Sequence, residues 1–114
     1  MSSLNAKESR ALTVAERRLL ERFVTGPFRA TILEALDRYL VVPMCDDGMG
    51  SVKIVGPETR EFGGTIGECS CRDSDGTPVS IAINVDQNGH LFEIDIWKVD
   101  FTPLIAFPKV EECR

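Results

Sequence analysis

From Val79 to Asp100 apolar and polar residues alternate on both sides of an Asn88-Gly89 step, and the two halves fit together in one register. Asn-Gly is the preferred pair for a two-residue type I′ hairpin turn, because both central residues need positive φ. With Gln87 and His90 flanking that turn, Val85 faces Phe92, Ile83 faces Ile94 and Ile81 faces Ile96 on one side of the sheet. The other side carries Asn84 with Glu93, Ala82 with Asp95 and Ser80 with Trp97. A slip of one residue would bring Asn84 opposite Phe92 and mix the two faces, so the alternation itself specifies the pairing.

The first third of the chain has helical spacing. Thr13-Val14-Ala15-Glu16 has the form of a capping box, and the spacing predicts a helix from about Val14 to Val24. Its apolar stripe is Ala15, Leu19, Leu20, Phe23 and Val24. Gly26 ends it, and Pro27 opens a second predicted helix to about Tyr39, with Phe28, Ile32, Leu36 and Tyr39 on one stripe. Beyond Tyr39 the period becomes that of strands, at Leu40 to Met44, Ser51 to Val55 and Thr65 to Arg72. A three-residue Ser74-Asp75-Gly76 loop with Gly76 left-handed sets Cys71 against Val79, Cys69 against Ile81 and Gly67 against Ile83. Ser70, Glu68 and Ile66 then join the polar face, with Glu68 and Asp95 on either side of Ala82.

Helices followed by strands predict an α+β fold: two N-terminal helices packed on one face of a four- to five-stranded antiparallel meander sheet. The expected organisation is a flexible segment over 1–12, a single α+β domain over 13–108, and a C-terminal tail over 109–114. The apolar stretch Phe101 to Pro108 reads as an extended arm packed on the body.

Composition narrows the function. A length of 114 residues with 43% hydrophobic and 27% charged residues suits one modest core. The longest apolar run is too short for a membrane span, and the N-terminus lacks the apolar segment of a secretory signal, so a cytoplasmic protein is expected. The net charge is -5, and it is unevenly placed: residues 1–38 carry seven Lys and Arg against five acids, residues 39–114 six against thirteen. That balance disfavours nucleic acid and favours a basic protein partner. Cys45, Cys69, Cys71 and Cys113 are read as reduced, with the Cys69–Cys71 spacing unlike that of zinc sites.

Several chemistries fail on spacing. The Asp73-Ser74-Asp75-Gly76 and Asp86-Gln87-Asn88-Gly89 segments put Asn84 and Trp97 where a Ca²⁺ loop needs glutamate, and turn chemistry explains them better. His90, the one histidine, lies at the hairpin tip, roughly 20 Å along the strand from the level of Cys69. Gly48-Met49-Gly50 lacks a phosphate-loop lysine.

The segments Cys45-Asp46-Asp47-Gly48-Met49-Gly50-Ser51 and Leu91-Phe92-Glu93-Ile94-Asp95-Ile96-Trp97-Lys98-Val99-Asp100-Phe101-Thr102-Pro103-Leu104 resemble those of a family of small bacterial proteins of unknown function. Members carry a DGGMGS-like loop and a DIWKVDF-like strand. The resemblance runs from about Thr13 to Leu104, with Asp47 where the family loop has glycine, and brings no activity, cofactor or catalytic residue with it.

The sequence thus reads as a non-enzymatic interaction module of inhibitor or immunity type, meeting a basic partner through Glu68, Glu93, Asp95 and Trp97. No catalytic set, metal site or cofactor is assigned. One alternative is a small enzyme or ligand or metal binder in which Asp46, Asp47, Glu68, Glu93, Asp95 and Asp100 converge. Another is a self-assembling module or homodimer, basic helices against acidic sheet.

Overall fold

The computed structural model describes residues 8–114 and has an α+β architecture. In chain order it contains strand β1 (Arg10–Ala11), helix α1 (Val14–Phe23), helix α2 (Arg29–Glu34), β2 (Leu40–Pro43), β3 (Val52–Ile54), β4 (Phe62–Arg72), β5 (Pro78–Asp86) and β6 (Leu91–Lys98). Short 3₁₀ turns occupy Leu36–Arg38 and Val110–Glu112. The sheet has six antiparallel strands in the order β1-β2-β3-β6-β5-β4. The expected four or five strands in a meander are corrected in two respects. Arg10–Ala11 adds a sixth strand on β2, and β6 turns back between β3 and β5 so that the last strand lies at the centre of the sheet. Of the N-terminal segment 1–12, residues 1–7 lie outside the described residues.

The capping box forms as its spacing predicts. Glu16 N–H donates to the Thr13 hydroxyl at 3.1 Å, and Thr13 N–H donates to the Glu16 carboxylate at 2.9 Å. Burial opposes the charge of Glu16, but Arg10, with two bonds of 2.8 and 2.9 Å, and the Thr13 N–H hold its carboxyl below the ordinary range. The second helix is much shorter than the Pro27-to-Tyr39 expectation. Ala35 N–H and Arg38 N–H bond three residues back, to Ile32 and Ala35, so the chain tightens into a 3₁₀ turn after Glu34.

Leu19, Leu20, Val24 and Ile32 from the helical segment share one core cluster with Ile81, Ile83, Ile94 and Ile96 from the sheet. Each of these large side chains contributes about 1.5–3 kcal/mol by leaving water. The central pairings Ile81↔Ile96 and Ile83↔Ile94 are those the alternation predicts. So are Cys71↔Val79, Cys69↔Ile81 and Gly67↔Ile83.

Near the tip of the second hairpin the register departs from expectation. The loop has three residues: Asp86 N–H donates to His90 O at 2.8 Å and Gly89 N–H to Asp86 O at 3.0 Å. Within it Gly89 takes positive φ, at 81°, and Asn88 does not. The cause is Asp86, whose carboxylate accepts from Asn88 N–H at 2.9 Å and His90 N–H at 3.0 Å and so favours a type I turn ending in one left-handed glycine. Val85 consequently faces Leu91, and a bulge at Phe92 restores the expected pairing from Asn84↔Glu93 onward. Phe92 is buried but leaves the core cluster, lying instead under the Lys53 ammonium (4.8 Å) and the Arg60 guanidinium (5.2 Å). A second bulge, between Thr65 and Gly67, removes Ile66 from the polar face, where Thr65 takes its place beside Asn84. Ile66 packs on the core and its carbonyl accepts from Thr25 N–H at 2.9 Å.

Candidate functional site

The candidate site is the polar side of strands β4, β5 and β6, where three cross-strand rows lie next to one another. Glu68, Ala82 and Asp95 form the central row, Ser70, Ser80 and Trp97 the second, and Thr65, Asn84 and Glu93 the third. All four residues singled out from the sequence are on this side, but their environments differ. Glu93 accepts from Asn84 Nδ2 at 3.0 Å, Asn84 Oδ1 accepts from the Thr65 hydroxyl at 2.8 Å, and Lys53 stands opposite Glu93 on β3. That carboxylate is already engaged. Glu68 and Asp95 are exposed, and Asp95 meets the Ser51 hydroxyl at 3.3 Å. A depression of about 510 Å³ lies over this surface, lined among others by Glu68, Ser80, Ala82, Asp95, Trp97 and Arg114.

Trp97 is 44% exposed and has an aromatic neighbour that the sequence did not single out. Phe101 sits 5.9 Å from it, ring centre to ring centre, tilted by 45°. Phe101 is 64% exposed and held at φ 62°, a left-handed conformation that is a genuine outlier for a bulky residue. The turn that holds it is made by Phe101 N–H to Lys98 O at 2.9 Å and by Asp100, whose carboxylate accepts from both Thr102 N–H (3.1 Å) and the Thr102 hydroxyl (2.7 Å). Thr102 accordingly keeps the Asp100 carboxyl below its ordinary range.

Beneath this aromatic pair lies a buried lock. Lys98 continues the alternation of Ile94 and Ile96 onto the core side, is 1% exposed, and donates to Asp73 and Asp75 at 2.9 Å each. Asp73 also accepts from Ile105 N–H (2.8 Å), Ala106 N–H (3.2 Å) and Ser74 N–H (2.7 Å). The backbone N–H of Ile105, then Lys98, hold the Asp73 carboxyl far below the usual range, and the two aspartates raise Lys98 above its own. The arm after β6 is thereby fastened to the first hairpin turn.

The loop before β3 fastens to the same arm. Asp46 accepts from Met49 N–H (3.1 Å) and Ser51 N–H (2.8 Å), and Ser51, 2% exposed, exchanges hydrogen bonds with the backbone of Ile96 (2.8 and 3.1 Å). Leu104 N–H donates to Gly48 O at 3.0 Å. A Cβ at Gly48 would come within 3.2 Å of Pro103, and one at Gly50 within 3.1 Å of Leu104. The two distinctive sequence segments, Cys45–Ser51 and Leu91–Leu104, are therefore the two sides of one joint. Asp46 and Asp100 serve that joint as turn-forming carboxylates, away from Glu68. Among the described residues, no group of three or more His, Cys, Asp or Glu is placed to hold a metal ion. No helix among them is long and apolar enough to cross a membrane.

The architecture is thus an α+β domain in which a buried lysine lock presents an aromatic pair beside an open, carboxylate-bearing sheet face. The chain belongs to the DUF6984 family, a domain of unknown function, whose model matches residues 9–108. Neither the curated proteins nor the solved structures provide a match.

Proposed function

We propose that this protein is a non-enzymatic binding module that takes a basic protein segment on the open side of β4, β5 and β6. The observation that carries the reading is the Trp97–Phe101 pair, two exposed aromatic rings of which one is kept in a costly backbone conformation. An exposed phenylalanine gains nothing for folding by standing left-handed, whereas strain of this kind is characteristic of binding sites. Large aromatic side chains serve as anchors at protein interfaces, and acidic neighbours select a cationic partner and speed its approach. Glu68 and Asp95 supply that charge beside the rings, while Glu93, tied to Asn84, shapes the surface. An inhibitor or immunity-type role is the form of this activity that the acidic balance of residues 39–114 favours.

The test is titration calorimetry with stopped-flow binding, using an extended Arg-rich peptide as probe. Trp97→Ala is expected to weaken binding by about 2 kcal/mol. Glu68→Lys and Asp95→Lys are expected to slow association and flatten its salt dependence. Unchanged affinity in a folded Trp97→Ala protein, with unchanged association rates in both reversals, would remove this face as the binding surface.

A further inference from the structure

We propose that Cys71 and Cys113 are a redox-closable pair, and that two-electron oxidation joins them in a disulfide fastening the segment over residues 109–114 to the outer edge of β4. The geometry comes from the backbone. Ser70 N–H donates to Arg114 O at 3.0 Å and Arg114 N–H to Ser70 O at 2.9 Å, which is the hydrogen-bonded pair of an antiparallel ladder. One step back along the ladder sets Cys113 opposite Cys71 in a non-hydrogen-bonded pair, where Cα atoms stand about 4.5 Å apart and side chains share one side. That separation falls inside the range a disulfide spans, about 4.4–6.8 Å. The Cys113 thiol also reaches that of Cys69, but Cys69 lies two residues further along β4 and out of register with Cys113.

All three thiols are buried in the core cluster, Cys113 completely. Burial first, and the adjacent Cys113 second, push Cys69 and Cys71 up to about 12. In the closed molecule Cys71 therefore carries almost no thiolate, and burial keeps oxidants from both sulfurs. Access requires residues 109–114 to lift. Among the described residues this breaks the bond of Arg22 to the Val110 carbonyl and a solvent-exposed Arg18–Glu111 contact of 3.6 Å, and it draws Val110 and Cys113 out of the core cluster. Once lifted, the Cys113 sulfur is open to water and to the oxidant.

Hydrogen peroxide is the oxidant class the step needs. The Cys113 thiolate attacks one peroxide oxygen and breaks the O–O bond, giving a sulfenic acid and a hydroxide that takes up the proton the thiol released and leaves as water; while residues 109–114 are still lifted and Cys71 is open to water, its thiolate attacks the sulfenic sulfur, and the hydroxide displaced takes the Cys71 proton to give a second water. Two thiols lose two electrons and two protons, and one peroxide becomes two waters. The disulfide would hold Arg114 at the rim of the depression beside Trp97.

The experiment uses the full chain carrying Cys45→Ala, which removes the exposed thiol and with it intermolecular products. Peroxide is expected to lower the mass by about 2 Da, with peptide mapping joining Cys71 to Cys113. The oxidised form should melt several degrees higher, and dithiothreitol should reverse both changes. Adding Cys113→Ser should abolish the product, and adding Cys69→Ser should leave it intact, which separates the chemistry from any loss of packing. A link between Cys69 and Cys113, or full retention of three thiols after prolonged peroxide under conditions that oxidise Cys45 in the unsubstituted chain, would overturn the proposal.

Discussion

The two hairpin tips are built on the same local plan and end in opposite electrostatic states. At the first, Asp73-Ser74-Asp75-Gly76-Thr77, and at the second, Asp86-Gln87-Asn88-Gly89-His90, a buried aspartate starts a three-residue loop closed by a left-handed glycine. The closing bonds match: Gly76 N–H to Asp73 O at 2.8 Å against Gly89 N–H to Asp86 O at 3.0 Å. Asp73 is then saturated by Lys98 and three backbone N–H groups. Among the described residues only one oxygen of Asp86 finds a hydrogen-bond partner. Its Oδ2 has none there, lying 3.9 Å from Arg60 and 3.8 Å from His90, and Arg60 Nε is likewise buried without one. Burial pulls Arg60 below its ordinary pKa, and Asp86 offsets this only in part. Arg60 spends its other nitrogens on the carbonyls of Leu91 (3.1 Å) and Ile54. The same turn thus serves as a lock at the end bearing Trp97 and Phe101, and as a loosely compensated brace at the far end. The left-handed turn at Phe101 thus stands on a rigid base.

The largest effect expected from this contrast is at Lys98. Lys98→Met leaves Asp73 charged and buried without its cation, and should lower Tm by more than about 10 °C. Circular dichroism melts would check it; a shift of a few degrees would show that the two ends are equivalent. Arg60→Met breaks a longer and poorer pair and should cost about 1–2 kcal/mol, of which adding Asp86→Asn recovers the part due to the unpaired carboxylate and leaves the part due to the Leu91 and Ile54 carbonyls. Denaturant unfolding of the single and double variants measures both numbers.

The pH response separates the two ends further. The Asp73 carboxyl is lower in the folded state than in the unfolded chain, so its stabilisation is complete above about pH 4 and is lost as pH falls below that. Asp73→Asn should therefore flatten the acid limb of stability. At the alkaline side Cys69 and Cys71 keep their protons in the folded state up to about 12, whereas unfolded thiols lose theirs near about 8.5. Stability should fall between these values as pH rises, and less steeply in Cys69→Ala. Equilibrium unfolding across pH 2–11 would show whether these slopes appear.

The smallest expected change is at Phe101. Replacing it by glycine relieves the left-handed strain and should leave stability unchanged or raise it by up to about 1 kcal/mol, while weakening binding of the Arg-rich probe. A clear loss of stability would mean that Phe101 is there for the fold.

Much of this arrangement was legible in the chain. The two-residue alternation around Ile81, Ile83, Ile94 and Ile96 fixes which side chains are buried, and Ser74-Asp75-Gly76 fixes the β4–β5 register. Asn88-Gly89 was misleading, because it suits both a two-residue turn and a longer one, and the preceding Asp86 decides between them. Lys98 was also missed, although it continues the Ile94 and Ile96 alternation. A buried lysine is too costly to expect until two aspartates from another hairpin are seen to meet it. The bulges that displace Phe92 and Ile66, the conformation of Phe101, and the pairing of Cys113 with Cys71 all arise from contacts distant in sequence. No local pattern announces them.

Trp97 is the only tryptophan, so its fluorescence reports from the proposed binding surface alone. The most direct measurement is therefore the emission of Trp97 during titration with the Arg-rich peptide at low and at high salt. The account predicts a saturable spectral change at low salt, weakened at high salt and in Glu68→Lys and Asp95→Lys. Binding detected by calorimetry with no change in Trp97 emission, or a spectral change insensitive to salt and to both charge reversals, would contradict it.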